Sequence, residues 1–200
     1  MLLAALGATV TTWGLIRFGE IAGMRGAKPL AELAVGLVLL KVFQERNTAP
    51  WTARQLILLP VIGLALGLLW VALFAWGRTA FPSLDQVDTI TIVMSVVSPV
   101  ITAPIFEEKI VRHLLLESAS MWVTRWVAVL GVSIVFAVVH REATIWSFLV
   151  SLFLCWLAVG PRLGTLQRAV VHGVLNAVIL AWFFTTGFGF FRPGDLALQP

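Results

Sequence analysis

The sequence predicts an all-α polytopic membrane protein, a bundle of about seven to eight transmembrane helices with a polar site in its C-terminal half. Its composition is the first reason: hydrophobic residues make up 60% of the 200 residues, charged residues only 12%, and the mean hydropathy is +0.97. A soluble globular domain is about half apolar and about a quarter charged. The composition therefore excludes an ordinary soluble globule, a disordered chain and a fibrous one.

Apolar runs are the second reason, because a spanning helix takes about 20 mostly apolar residues. Seven runs, in a single transmembrane domain over 1–200, cover 2–16, 30–43, 55–77, 89–117, 122–140, 144–159 and 165–186. The first carries no basic region before it and no cleavage site after it, which favours a retained helix over a signal peptide. The first two runs are short, which favours tilted or interfacial helices. The fourth run is too long for a single span, and Pro99 and Pro104 predict a kink or break in its helix. One part of the helix then protrudes from the membrane, or the run forms two helices.

Several features narrow the function without assigning one. The single cysteine, Cys155, excludes a disulfide framework and a multi-cysteine metal site. The net charge of +4 comes from Lys and Arg scattered between the runs, which favours lipid headgroups over nucleic acid as partners.

Gly63 and Gly67 predict close helix packing. Interfacial tryptophans are expected near run ends, at Trp51, Trp76, Trp122 and Trp182. Counts of Lys and Arg do not settle the orientation, and residues 1–90 show no readable chemistry.

Ionisable residues in membrane helices are costly and mark functional sites by default. Glu107 and Glu108 follow an apolar stretch, and Arg112 lies one helical turn beyond Glu108, so that pair faces each other. Arg112 is expected to neutralise Glu108, while Glu107 points into a partly dry cavity as a candidate general base. A charged helix end at the headgroups, with Lys109 and Arg112 reaching outward, is the open alternative.

Two further pairs share a helix face in later runs. Phe136 and His140 close the run 122–140, where a lone histidine is commonly a helix cap. His172 and Asn176 lie one turn apart inside an apolar helix, where unpartnered polar groups cost at least about 1–3 kcal/mol each. Their donors suit a developing oxyanion, and interhelical hydrogen bonding is the alternative.

In combination these motifs resemble the CPBP family of intramembrane proteases, also called Abi, which includes CAAX-processing endopeptidases and bacteriocin-processing or self-immunity proteins. The resemblance covers residues 98–180 and includes the connection 160–166. It is carried by Glu107-Glu108/Arg112, Phe136/His140 and His172/Asn176.

The resemblance implies a glutamate-type intramembrane endopeptidase that acts on a membrane-tethered peptide, prenylated or bacteriocin-like, in the cell membrane of a prokaryote. By analogy Glu107 and His140 activate water, and His172 and Asn176 hold the oxyanion. The supporting residues are Glu108, Arg112 and Phe136. Members usually carry an aromatic residue before the motif arginine and a glycine after it. Here these are Val111 and His113, and Lys109 adds a charge, so substrate preference is expected to differ.

Other readings stay open. No cofactor is expected, but Glu107, His140 and His172 form a two-histidine, one-carboxylate set with the ligand count of a catalytic zinc site. Motifs of site-2, rhomboid-like and aspartyl intramembrane proteases are absent from the sequence. A proton-coupled carrier uses similar residues, although carriers often show internal repeats. A catalytically silent immunity or scaffold protein is the third alternative.

Overall fold

A computed structural model describes residues 1–46, 48–75 and 88–186, and every regular element in that part of the chain is helical. Seven helices follow the seven apolar runs, so the all-α prediction is confirmed. They are α1 (Leu2–Ile21), α2 (Ala27–Val42), α3 (Ala53–Phe74), α4 (Thr89–Ala119), α5 (Arg125–Val139), α6 (Thr144–Val159) and α7 (Thr165–Thr186). Positions 76 and 77 of the third run lie outside the described residues.

Four of the described helices are long and apolar enough to cross a membrane, namely α1, α3, α4 and α7. Helix α1 extends five residues beyond the predicted run and reaches 20 residues. The other three are 15 or 16 residues long, which is short for a spanning segment. By length and composition the described residues thus contain four candidate spans, fewer than the seven to eight predicted, because α2, α5 and α6 are shorter than a spanning helix.

The surface of the bundle is apolar where a soluble protein would be polar. Trp13 is 66% exposed, Ile57 71% and Val139 74%. Several polar side chains are buried instead, including Glu108 at 0% and Arg112 at 1% exposed. This reversed arrangement is expected of a protein that is surrounded by lipid, and the protein is an integral membrane protein.

Helix α4 occupies the centre of the bundle. Its residues Ile110 and Leu114 pack with Ala5 and Leu39 of α1 and α2, and Leu116 packs with Cys155 of α6. Helix α7 joins α3 and α6 in a second core. The residues of α4 therefore face the other helices on several sides, which allows the helix to carry a buried polar site.

The predicted break in α4 does not occur, since the helix is continuous over 31 residues. Two π-helical segments, Ser98–Thr102 and Glu108–Leu115, interrupt its α-helical hydrogen bonding. Pro99 lies in the first segment and lacks an amide hydrogen, so the chain closes a wider turn there instead of breaking. π-Helical turns occur frequently at functional sites.

The predicted Gly63–Gly67 contact is confirmed, and its partner is α7. A Cβ atom added at Gly63 would lie 2.5 Å from the carbonyl oxygen of Val171, and one at Gly67 would lie 2.6 Å from Cβ of Val178. The two helices approach this closely because glycine leaves room for the facing backbone. This contact fixes α7, which carries two of the candidate site residues.

The four tryptophans near run ends differ in their surroundings. Trp51 and Trp122 are exposed beside helix ends, at 47% and 85%. Trp182 lies within α7 and packs partly against the core of α3, α6 and α7. Trp76 lies outside the described residues.

Candidate active site

A cavity of about 1060 Å³ opens at the end of the bundle where α1 ends and α2 begins. Its apolar wall includes Met94, Trp146 and Phe183, and Arg25 and Arg141 also line it. Five residues predicted from the motifs line it as well: Glu107, Phe136, His140, His172 and Asn176. The fold thus brings residues from α4, the end of α5 and the middle of α7 to one cavity.

The two adjacent glutamates of α4 occupy different environments. The side chain of Glu107 is 27% exposed and faces the cavity. The side chain of Glu108 is fully buried and does not line the cavity. This difference follows from the helix, because successive residues point about 100° apart around its axis.

Arg112 is the charged partner of Glu108. Its Nη1 lies 3.1 Å from Glu108 Oε1, with both side chains at 0% exposure. Its guanidinium carbon also lies 4.2 Å from the centre of the Phe136 ring. The four-residue spacing therefore forms the predicted ion pair, and Phe136 supports the buried cation from α5 through a cation–π contact.

His140 directly follows α5 and is not its last helical residue. Its ring still stacks on Phe136, with centroids 4.2 Å apart, and Nδ1 donates to the backbone carbonyl of Phe136 at 2.8 Å. A carbonyl oxygen only accepts, so Nδ1 carries the hydrogen. The other ring nitrogen, Nε2, remains for the cavity that His140 lines.

His172 contacts both glutamates. Nδ1 lies 3.1 Å from Glu108 Oε1, and Nε2 lies 3.9 Å from Glu107 Oε2. Among the described residues, His172 is the histidine within 4.0 Å of the Glu107 carboxylate. The structure therefore groups Glu107 with His172, whereas the resemblance pairs Glu107 with His140. All three line one cavity.

Asn176 lies one turn after His172 on α7 and reaches α4. Its Nδ2 donates to the carbonyl oxygen of Pro99 at 2.7 Å. Between them, Gly173 packs so closely on α4 that an added Cβ would lie 2.2 Å from the Val100 carbonyl oxygen. The glycine thus allows α7 to bring both polar side chains against the irregular segment of α4.

Sequence reasoning missed two buried charged residues, Arg168 and Glu32, and the partly buried Glu45. Arg168 on α7 is 2% exposed, and its Nε donates to Glu108 Oε2 at 3.3 Å. Its Nη2 donates to Glu45 Oε1 at 3.2 Å. Glu32 on α2 is 5% exposed and accepts from Ser98 and Thr102 at 2.8 and 2.7 Å. These contacts correct the view that residues 1–90 lack chemistry. Arg168 and Glu32 could have been found as charged residues within apolar runs.

Glu45 lies between α2 and α3, outside the candidate spans. Burial acts to raise the pKa of its carboxyl group, but the Arg168 guanidinium and hydrogen bonds from Thr165 outweigh burial and hold the pKa below its usual value. Glu45 is therefore an ionised anchor for the buried arginine.

Two of the three departures from the usual motif, Lys109 and His113, lie beside Glu45 or the end of α2. Lys109 is 1% exposed and donates from Nζ to the carbonyl oxygen of Phe43, at the end of α2. His113 is 8% exposed, and its Nδ1 lies 3.9 Å from Glu45 Oε1. Lys109, Val111 and His113 do not line the large cavity.

Residues 89–178 match the family model described as "Rce1-like: Type II CAAX prenyl endopeptidase Rce1-like". Over this segment the chain is similar to CAAX prenyl endopeptidases, the kind of protease that the three motifs resemble. The match covers α4 to α7, the helices that carry the three motifs. It supports a protease, and therefore a hydrolase, in a protein with four helices long and apolar enough to cross a membrane. No curated protein and no solved structure matches the chain.

A metal site needs several ligand side chains grouped around one point. Within residues 1–46, 48–75 and 88–186, no three His, Cys, Asp or Glu side chains are grouped closely enough to hold a metal ion.

Proposed function

We propose that this protein is an intramembrane endopeptidase that hydrolyses a peptide bond of a membrane-associated substrate by direct attack of water. The observation that carries the proposal is the convergence of Glu107, His140, His172 and Asn176 on one cavity with an apolar wall. A carboxylate, two imidazoles and an amide supply a base, proton donors and oxyanion donors. The substrate class is a lipid-modified CAAX-type or bacteriocin-like peptide, and the location is a prokaryotic cell membrane.

In this mechanism Glu107 and His140 remove one proton from water as its oxygen bonds to the peptide carbonyl carbon. The carbonyl oxygen becomes an oxyanion and accepts hydrogen bonds from His172 and Asn176. The C–N bond then breaks, and the leaving nitrogen takes the proton that the base had removed. Nδ1 of His172 faces Glu108, so Nε2 is the nitrogen available to the reacting groups. Serving the oxyanion requires a hydrogen on Nε2 as well as on Nδ1, so in this step His172 acts as an imidazolium beside Glu107 and Glu108.

Glu108, Arg112 and Phe136 act through their neighbours. Glu108 fixes the ring of His172, Arg112 balances the buried charge of Glu108, and Phe136 supports both Arg112 and His140. A catalytic group has to be held within a fraction of an ångström of its productive position, and packed neighbours provide this.

The test compares wild type, Glu107→Gln and Glu117→Gln in detergent or vesicles, with a panel of fluorogenic lipid-modified peptides. Glu117 is the matched control, since it lies on the same helix in an exposed ion pair with Arg125. We expect cleavage by wild type and Glu117→Gln only. Equal cleavage by Glu107→Gln would overturn the mechanism. No cleavage of any peptide would count against the proposed activity and favour a silent scaffold, and proton flux into vesicles would identify a carrier.

A chelator arm of the same assay separates the zinc alternative. In that version Glu107, His140 and His172 would hold the zinc ion, which would lower the pKa of a bound water. Full activity after extended chelation would exclude zinc. Lost activity that returns on zinc addition would replace the metal-free mechanism.

A further inference from the structure

Glu108 is held from three directions. Its Oε1 contacts Arg112 Nη1 and His172 Nδ1, each at 3.1 Å, and its Oε2 accepts from Arg168 Nε at 3.3 Å. The carboxylate therefore touches two guanidinium groups as well as the histidine. Two buried cations favour its ionised form, which only accepts hydrogen bonds. The hydrogen between Glu108 and His172 then belongs to Nδ1 of the histidine.

The two arginines contribute differently. Arg112 contacts Glu108 by charge and stacks on Phe136, but its nitrogens make no aligned hydrogen bond to a described residue. Arg168 makes an aligned hydrogen bond to Oε2. The hydrogen bond from Arg168 therefore fixes the rotation of the Glu108 carboxylate group. That rotation determines the position of Oε1 relative to His172.

Arg168 is itself fixed by a second set of contacts. Its Nη1 donates to the carbonyl oxygen of Leu163, and its Nη2 donates to Glu45 Oε1 at 3.2 Å and lies 3.5 Å from Thr165 Oγ1. All three guanidinium nitrogens therefore have acceptors, which lie on α4, in the connection between α6 and α7, in the connection between α2 and α3, and at the first residue of α7. A lysine carries the charge but cannot reproduce this planar fork.

We propose that Arg168, anchored by Glu45, is a positioning residue that orients Glu108 and thereby keeps the hydrogen on Nδ1 of His172 and its Nε2 toward the cavity. Neither Arg168 nor Glu108 lines the cavity. Its effect on cleavage rests on the proposed function. Its effect on the histidine does not, because that contact exists without substrate.

The first readout is magnetic resonance of protein labelled with ¹⁵N-histidine. The chain has three histidines, so the signal of His172 is assigned by its loss in His172→Gln. We expect a hydrogen-bonded Nδ1–H signal in wild type and in Arg125→Lys, the matched exposed control. Arg168→Lys is expected to shift or broaden it. An unchanged signal in folded Arg168→Lys would overturn the proposal.

The second readout is kinetic, on the peptide that wild type cleaves. Arg168→Lys is expected to lower kcat about tenfold to a hundredfold, the effect of a small misplacement of catalytic groups, with KM changed by less than about twofold because substrate contacts persist. Since Arg168 acts through Glu108, the same change in a Glu108→Gln background should add little. Independent, multiplicative losses would contradict action through Glu108.

Glu45→Gln keeps the experiment decisive if Arg168→Lys does not fold. This variant leaves Arg168 in place and removes only the charge of its far anchor. We expect a shift of the His172 signal in the same direction, with a smaller loss of kcat. A wild-type signal in Glu45→Gln would remove Glu45 from the proposal. If wild type cleaves no peptide, the magnetic resonance result still decides the role of Arg168.

Discussion

Nδ2 of Asn176 donates a 2.7 Å hydrogen bond to the backbone carbonyl of Pro99 on the neighbouring helix. That carbonyl needs an external donor for a local reason. The amide of Ala103, its α-helical partner, donates to Ser98 instead. The next residue along the chain, Pro104, has no amide hydrogen and cannot donate. The carbonyl oxygen of Pro99 therefore lacks a donor within its own helix, and Asn176 supplies one.

Asn176→Ala should reduce both stability and cleavage. Leaving the Pro99 carbonyl unpaired costs about 1–3 kcal/mol, and losing an oxyanion donor costs about 10²–10³ in kcat. Unfolding in detergent and peptide turnover measure the two effects separately. Thr185→Ala on the exposed side of α7 is the control and should change neither. Wild-type turnover by Asn176→Ala would remove the residue from the oxyanion site.

Gly63→Ala should destabilise the bundle, because its Cβ would meet the Val171 carbonyl at 2.5 Å. We expect a loss of about 1–3 kcal/mol, typical of an overpacked interface. Gly131→Ala is the matched control, since an added Cβ there meets nothing within 4 Å. It should be neutral or stabilise by about 0.5–1 kcal/mol. Equal stability of the two variants would contradict the close contact of α3 and α7.

Arg112→Ala should lower protein yield and activity together. It removes one of the cations beside the buried Glu108 carboxylate, and breaking a buried pair costs about 3–5 kcal/mol. Arg125→Ala breaks an exposed pair with Glu117 and should cost at most about 1 kcal/mol. The comparison uses thermal unfolding and peptide cleavage. A normally folded, fully active Arg112→Ala would show that Glu108 does not depend on this arginine.

Acid should destabilise the protein partly through Glu45. Its folded pKa lies below the usual 4.5, so its ionised form stabilises the fold above the unfolded pKa. That contribution is lost as the pH falls below 4.5 and through the lower folded value. Unfolding midpoints between neutral and acid pH should therefore depend less on pH in Glu45→Gln than in wild type. Glu20→Gln, in an exposed pair, should keep the wild-type slope. Identical slopes in all three would contradict the assignment.

Relations within one helix were predictable from the sequence. The Glu108–Arg112 pair depends only on a four-residue spacing, and the apolar runs found all seven helices. The count of spans was not predictable in the same way, because a short apolar run marks a helix without showing that the helix crosses a membrane. The continuity of α4 was not predicted, because proline lacks an amide hydrogen both where it breaks a helix and where, like Pro99, it lies in a π-helical turn.

Contacts between residues of different helices could not be predicted from the sequence in this way. The spacing of His172 and Asn176 shows a shared face, but not that one faces Glu108 and the other Pro99. Glu45 follows α2 in an ordinary charged loop, and its partner Arg168 lies 123 residues later. Such pairs depend on how helices pack, which local patterns do not specify.

The contacts of Glu45 and Glu32 also show which parts of the chain have to be kept together when the protein is engineered. Family similarity covers residues 89–178, yet Arg168 is anchored by Glu45 and the π-helical turn of α4 is held by Glu32. An excised α4–α7 segment, or a chimera that joins it to unrelated N-terminal helices, would keep every motif and lose both anchors. The unit that keeps these anchors is therefore larger than the segment that the family model matches.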